Sequence, residues 1–302
     1  MTLLAFLGVV FVAGANIVAV RFTNEDIPPF FGAGFRFGVA GVLLLAIAAF
    51  RRIPLPRQRA LVGTALYGLL AFGGAMALGY WALVSLPAGI AGLIIASVPI
   101  LTLFLARIHG LEPFRWRGLV GGLLTLAGIA ILLSGPVEAN VPIGSVLAML
   151  GGALCLAEAS IVVKRFPPCH PVTFNGLGMA IGAAVLLVVS LVSDEQWTLP
   201  SRGMVWLAVA YMVLIGSVAL FAMYVFVLKG WTASRASYQF VLIPFVAALL
   251  GTWLLGETIT GGFVIAGAVV LSGVYVGALS AGKAPVPSSP HQEAHAQRCS
   301  TT

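Results

Sequence analysis

Ten apolar runs, each close to the length that crosses a lipid bilayer, divide this chain almost without remainder. They fall at about 2–20, 28–50, 61–83, 88–106, 117–134, 142–163, 171–192, 203–228, 233–254 and 260–280. A bilayer core about 30 Å thick needs about 20 residues of helix. Turn and charge signals separate the runs, among them Pro28-Pro29, Arg51-Arg52, Pro87, Pro136, Pro167-Pro168, Asp194-Glu195 and Lys229-Gly230. The runs are continuous rather than alternating, which excludes the strands of a membrane barrel. The connections are too short for a soluble domain. The predicted fold class is an all-α polytopic membrane protein with ten transmembrane helices.

Composition agrees. Hydrophobic residues make up 60% of the 302 and charged residues 8%, against about 25% charged in a soluble domain. So few charges cannot coat a globular surface, so an ordinary cytosolic enzyme and a nucleic-acid reader are excluded. Cys155, Cys169 and Cys299 form no framework, and no disulfide is expected. Residues 3–12 followed by Ala13-Gly14-Ala15 resemble a cleavable leader. No Lys or Arg precedes that run, and residues 13–22 recur later in the chain, so the segment reads as a first span. Residues 282–302 are rich in Pro, Ser, Ala and Gln and read as a disordered tail; His291 and His295 within it have no third ligand for a metal.

The basic residues orient the chain. Arg21 and Arg202 are the 2 on odd-numbered connections. Arg51, Arg52, Arg57, Arg59, Arg107, Arg115, Arg117, Lys164, Arg165, Lys229, Arg235, Lys283 and Arg298 are the 13 on even-numbered connections and the C-terminal segment. Arg36 alone lies deep within a span. Positive charge marks the cytoplasmic side, so both termini are expected in the cytoplasm and the protein in a bacterial-type inner membrane.

The chain also repeats itself. A shift of 144 residues places Ala13, Ala15, Ile17, Arg21 and Phe22 on Ala157, Ala159, Ile161, Arg165 and Phe166. It places Gly32, Gly34 and Gly38 on Gly176, Gly178 and Gly182, and Tyr67 and Tyr80 on Tyr211 and Tyr224. A shift of 145 then places Pro99, Glu112, Gly122 and Gly128 on Pro244, Glu257, Gly267 and Gly273. Residues 1–138 and 139–281 are thus read as two five-helix repeats. Five is odd, so the second repeat enters the membrane from the opposite side. Inverted repeats are the architecture of many alternating-access transporters, with the substrate near the midplane.

The run Gly14-Ala15-Asn16, then Arg21, Pro29 and Phe35-Arg36, resembles the first two helices of an EamA-type domain. Ala82-Leu83, Pro87-Ala88-Gly89, Pro99, Glu112 and Gly122 through Gly128 resemble its remainder. The second half repeats it with Ala233-Ser234, Pro244, Gly256-Glu257 and Gly267 through Gly273. Over about residues 1–280 the chain is similar to the ten-helix branch of the drug/metabolite transporter superfamily, and most similar there to YddG-type exporters of aromatic and other amino acids. The resemblance implies that helices 1, 3, 4, 6, 8 and 9 surround a central cavity. Helices 2 and 7 brace it, with 5 and 10 at the periphery or at a dimer contact. It implies a small-molecule substrate, the lipid bilayer as surroundings, no cofactor, and a monomer or homodimer.

Polar residues inside spans are costly and are functional candidates by default. Asn16, Tyr80, Trp81, Ser97, Glu158, Tyr224, Tyr238 and Gln239 are these candidates, on the six helices that the resemblance places around the cavity. Asn16, Ser97, Gln239 and the tyrosine hydroxyls suit a substrate carboxylate, and Glu158 suits an ammonium. Trp81 and the tyrosine rings suit an aromatic wall with cation–π contact. Glu158 lies about two turns from the basic edge, where it can instead pair with Lys164 or Arg165. Arg36, on a bracing helix, is expected to bond backbone carbonyls. Pro99 and Pro244 each free a carbonyl one turn back and are candidate gating hinges. No P-loop, no catalytic Ser–His pair and no metalloprotease motif is present, so neither ATP-driven transport nor intramembrane hydrolysis is expected.

Topology reporters test the orientation. Alkaline phosphatase fused at the C-terminus is expected to be inactive, and the same enzyme inserted after Glu25 active; the reverse pattern overturns the assignment.

Overall fold

The computed structural model describes residues 2–110, 116–133, 141–198, 200–220, 223, 226–227, 239–256 and 259–276. These residues form ten helices: α1 (Thr2–Thr23), α2 (Pro29–Phe50), α3 (Gln58–Ala82), α4 (Ala88–Ile108), α5 (Trp116–Leu133), α6 (Ile143–Arg165), α7 (Pro171–Val192), α8 (Gly203–Ala219), α9 (Gln239–Leu255) and α10 (Gly261–Val274). Helices α1 to α4, α6 and α7 are long and apolar enough to cross a membrane, and α8, α9 and α10 contribute shorter apolar helices. Among the described residues there is no strand. The chain is an all-helical, multi-pass membrane protein.

Local chemistry sets the helix ends. Pro29 and Pro171 open α2 and α7, where their missing N–H costs nothing. The His170 Nδ1 accepts from the Val172 N–H at 3.3 Å, and the Thr260 hydroxyl accepts from the Phe263 N–H at 3.1 Å at the start of α10. Helices α2 and α7 close alike. Arg52 and Asp194 stand at φ 54° and 52°, and the next residues, Ile53 and Glu195, donate back to Ala48 and Ser190. That is a Schellman closure built without glycine. Gly110 and Gly256, at φ 70° and 68°, end α4 and α9.

Two helix pairs carry the register of the whole bundle. A Cβ on Gly34 would stand 2.8 Å from the Leu187 side chain, and one on Gly176 3.2 Å from that of Leu45. Gly38 faces Ala183, and a Cβ on Gly41 would stand 3.0 Å from the Ala180 nitrogen. The numbers climb along α2 as they fall along α7, so the pair is antiparallel. Each contact also maps onto another when Gly34 is exchanged for Gly176 and Leu45 for Leu187, a shift of 142 residues. The pair α5/α10 behaves the same way. Gly128 lies against Val270 and Gly273 against Thr125, each with a notional Cβ 2.6 Å from its neighbour. These contacts exchange under a shift of 145, the shift read from the sequence here.

For α2 and α7 the sequence register is two residues out. Gly178 and Gly182 do not match Gly34 and Gly38; they pack on α3 instead, Gly178 on Tyr67 and Gly68, and Gly182 on Phe72 and Gly73. Small residues recur at several spacings along both helices, so glycine identity alone aligns equally well at a false offset.

The other contacts form reciprocal sets. Helix α1 packs on α9 as α6 packs on α4; α1 packs on α8 as α6 packs on α3; α2 packs on α8 as α7 packs on α3. Short π-helical stretches occur in α3 at Gly68–Gly74 and in α8 at Leu214–Ala219. The interior is finely packed, with Leu86, Leu93, Ile94, Ile161, Met179 and Leu186 all sealed. Outward-facing positions are apolar too. Phe50 is 90% exposed and Trp253 79%, which suits lipid.

Two features differ from the kinked-helix expectation. Helix α4 is interrupted at Ala96–Ser97, between segments Ala88–Ile95 and Val98–Ile108, and Pro99 sits at the second position of the latter. There a missing donor is harmless. Pro244 does lie inside α9, and a Cβ on Gly92 of α4 would stand 3.0 Å from its Cα. The α4–α9 crossing is therefore Gly92 on Pro244.

Gly273→Leu is expected to destabilise the detergent-solubilised protein by about 1–3 kcal/mol, the ordinary cost of overpacking, read as a lowered melting temperature. Gly79→Ala, where a Cβ meets nothing within 4 Å, is expected to leave it unchanged.

Candidate functional site

A buried polar cluster joins four helices. Arg36 of α2 is 5% exposed. Its Nε donates to the Ser217 hydroxyl at 3.2 Å, its Nη2 to the Gly216 carbonyl at 3.0 Å and its Nη1 to the Tyr80 hydroxyl at 3.1 Å. Asn16 of α1 donates through Nδ2 to the same Gly216 carbonyl at 2.9 Å. The Tyr80 hydroxyl points on to the Met212 sulfur at 3.9 Å. The cluster thus ties α1, α2 and α3 to α8.

The π-helical stretch of α8 makes this possible. A π turn disturbs the regular pairing of carbonyl with N–H four residues on. The Gly216 carbonyl turns to Asn16 and Arg36, and the Ser217 hydroxyl donates back to the Met212 carbonyl at 3.0 Å. Gly216 must be glycine, because a Cβ there would collide with the Asn16 side-chain amide. Among the described residues the buried Asn16 Oδ1 meets no donor, and it is packed on that glycine. Beside the cluster, Tyr211 donates to the Val12 carbonyl at 3.3 Å, and the Arg36 guanidinium carbon lies 4.9 Å from the Phe37 ring centroid.

Of the predicted candidates, the structure brings Asn16 and Tyr80 together here. Trp81 is one residue further round α3, 45% exposed on the outer surface, with Gly144 of α6 beneath its indole. Ser97 is buried, and its hydroxyl donates to the Ile94 carbonyl of its own turn at 2.6 Å. Gln239 is 7% exposed at the first residue of α9. Tyr224 and Tyr238 lie outside the described residues, as do Glu112, Glu257 and the tail.

Glu158 pairs with neither Lys164 nor Arg165. Its carboxylate meets the His109 Nε2 at 2.9 Å, and the Nδ1 of the same ring stands 3.2 Å from Arg165 Nη1. An arginine can only donate, so Nδ1 accepts and the Nε2 proton faces Glu158. The triad ties the end of α4 to the end of α6. The opposite end of the bundle is also fastened. Arg202, before α8, grips Asp26 at 2.6 Å and Glu25 at 3.4 Å. The Arg202 hydrogen bond holds the Asp26 carboxyl below its ordinary range. Glu195, after α7, accepts from the Phe30 and Phe31 N–H groups at 3.1 and 2.8 Å and so caps α2. Trp197 stacks on Phe31 at 5.1 Å.

Ser217 and His109 are the residues that sequence reading passed over, while Arg36, expected to bond backbone carbonyls, reaches the Gly216 carbonyl and adds two hydroxyl partners. For Arg36 a signal was present, since it is the one basic residue deep within a span. His109 closes its helix and reaches Glu158, 49 residues away, only through the α4–α6 packing.

Tyr80→Phe leaves a guanidinium N–H without its acceptor, at a cost of about 1 kcal/mol. Its melting temperature is expected to fall clearly below wild type, whereas Tyr211→Phe, which frees only a carbonyl, is expected to change little.

The comparisons with known proteins agree with this architecture. The EamA-like transporter family matches residues 1–134 and 143–278. The chain is 34% identical over 252 residues to the uncharacterized inner membrane transporter YedA of Escherichia coli K12, covering 82% of this chain and 80% of that one. It is 27% identical over 252 residues to the uncharacterized transporter YyaM of Bacillus subtilis, covering 81% and 83%. A solved crystal structure matches with a TM-score of 0.66 over 94% of this chain and 99% of that one, at 22% identity, which shows a shared fold alone. The resemblance to the YddG-type branch rests on sequence features and not on these relatives. The chain belongs to the EamA-like transporter family: it is a membrane transporter of small molecules and not an enzyme.

Proposed function

We propose that this transporter exports amino acids, aromatic and other neutral ones, or similar small metabolites, by alternating access. It works as two inverted halves, 1–138 and 139–281, followed by the tail 282–302, in a bacterial-type inner membrane with both termini in the cytoplasm. The observation that carries the reading is the polar cluster in which Asn16 and Arg36 of the first half hold Gly216 and Ser217 of the second, while Tyr80 steadies Arg36 and reaches Met212. Hydrogen bonds at depth between two halves that pack antiparallel are links that a rocking carrier must make and break. The two fastened ends, Arg202 with Asp26 and His109 with Glu158, are natural gates on opposite faces.

The central cavity lies between α1, α3, α4, α6, α8 and α9. Asn16 and Tyr80 face the substrate on one side, Gln239 contributes from α9, and Tyr224 and Tyr238 belong to the proposed substrate set from their sequence positions alone. The Ala96–Ser97 break, Pro99 and Pro244 let α4 and α9 bend as access changes. Ser97 acts beside the cavity rather than in the cluster, whereas Trp81 faces outward from α3. Glu158 serves the gate through His109, which favours facilitated export down a gradient over proton-coupled antiport.

Counterflow of labelled threonine, methionine and tryptophan in liposomes holding the purified protein tests this, with and without a pH gradient. Saturable exchange that ignores the gradient is expected, and Asn16→Ala is expected to slow it about tenfold, the equivalent of about 1.4 kcal/mol. Exchange that follows the gradient establishes antiport instead. Absence of exchange by a folded protein overturns the amino-acid assignment and leaves drugs or other metabolites as cargo.

A further inference from the structure

A permanent cation sits at the centre of the cluster, with nothing anionic beside it among the described residues. The oxygens that Arg36 contacts are all neutral: a serine hydroxyl, a tyrosine hydroxyl and a backbone carbonyl. Among the described residues no carboxylate lies within ion-pair distance of it. Glu25 and Asp26 hold Arg202, Glu158 holds His109 and Glu195 caps α2. A buried, uncompensated charge is expensive, more so at membrane depth. A neutral amide would donate to the same kinds of acceptor without that cost. The hydrogen bonds alone therefore do not explain why the residue is charged.

The guanidinium also has donors to spare. It carries five N–H groups, and three are engaged. Nη1 and Nη2 each make one bond and so keep one N–H each. Two N–H groups on neighbouring nitrogens match the two oxygens of a carboxylate, the strongest pairing an arginine makes.

We propose that Arg36 is the carboxylate-binding residue of this transporter, and that its substrates must carry a carboxylate. The inference deepens the transport reading given above and rests on it for the word substrate. A carboxylate docking on the spare Nη1 and Nη2 N–H groups draws the guanidinium toward itself and away from the Gly216 carbonyl and the Ser217 hydroxyl. Binding thereby replaces a link between α2 and α8 with a link between α2 and cargo. Recognition and the parting of the two halves then share one side chain. Tyr80 becomes a positioning residue, holding Nη1 at 3.1 Å while the other bonds exchange.

The test separates this inference from the transport reading. The melting temperature of the detergent-solubilised full chain is measured with four probes of one shape: L-phenylalanine, 3-phenylpropionate, L-phenylalaninamide and phenethylamine. The two carboxylates are expected to raise it, and the amide and the amine are not. Arg36→Gln, which keeps a neutral donor in place, is expected to abolish the rise; Arg36→Lys, which keeps the charge without the fork, is expected to weaken it. Equal shifts from acids and amines, an undiminished response in Arg36→Gln, or no shift from either carboxylate in wild type each overturn the proposal. Counterflow of phenethylamine with no response to carboxylates leaves the carrier reading standing and this one fallen. A carboxylate shift that depends on Arg36, in a protein that exchanges nothing, leaves this one standing and the carrier reading fallen.

Discussion

Hydrocarbon offers a polypeptide no hydrogen-bond partner, and the rest of this structure follows from that shortage. Each span closes its own backbone as a helix. Association between spans cannot draw on burial away from water, because lipid is as apolar as leucine, so it relies on close approach and on a few interior hydrogen bonds. The close approaches are the glycine faces of α2 on α7 and of α5 on α10. The hydrogen bonds are those that radiate from Arg36 and Asn16 to Gly216. Large apolar side chains such as Phe50 and Trp253 are left to face outward.

The stretches 1–134 and 143–278, each matched by the family model, share a set of contacts but not a chemistry. In the register set by Gly34 and Gly176, Arg36 of α2 corresponds to Gly178 of α7. Arg36 reaches into the π-helical stretch of α8; Gly178 packs on Gly68, where the π-helical stretch of α3 begins. The same contact is thus polar and charged in one half and bare backbone in the other. A strictly symmetric pair would place two guanidinium groups inside one bundle, doubling an already large desolvation cost. Asymmetry at this point keeps the architecture and confines the charge to one place.

Much of the fold was legible because membrane insertion is governed by segment-level quantities. Apolar length marks the spans, and proline and charge mark their ends. The register of α5 on α10 was also legible, through Gly128 and Gly273. The register of α2 on α7 was not, because glycines spaced along both helices satisfy more than one offset. The candidate site was legible in part. Asn16 and Tyr80 stand out as polar residues at depth, and both join the Arg36 cluster, Asn16 through the Gly216 carbonyl and Tyr80 through Arg36 itself. Trp81, adjacent to Tyr80, looks equally suitable in sequence, yet one residue is about 100° around a helix, and it faces outward. Ser97 spends its hydroxyl on its own turn.

By itself the sequence determined the all-helical membrane fold, the positions of the spans and the scarcity of polar groups inside them. Each of these depends on the character of a stretch of chain, which can be summed without knowing its neighbours. Only the tertiary structure decided which polar groups become partners. Arg36 lies 181 residues from Ser217 and Asn16 lies 200 from Gly216. His109 takes Glu158 from lysine and arginine neighbours that are nearer in sequence. Such pairings depend on helix rotation and on the local π geometry of α8, and a rotation of one residue is enough to turn an interior hydroxyl toward lipid.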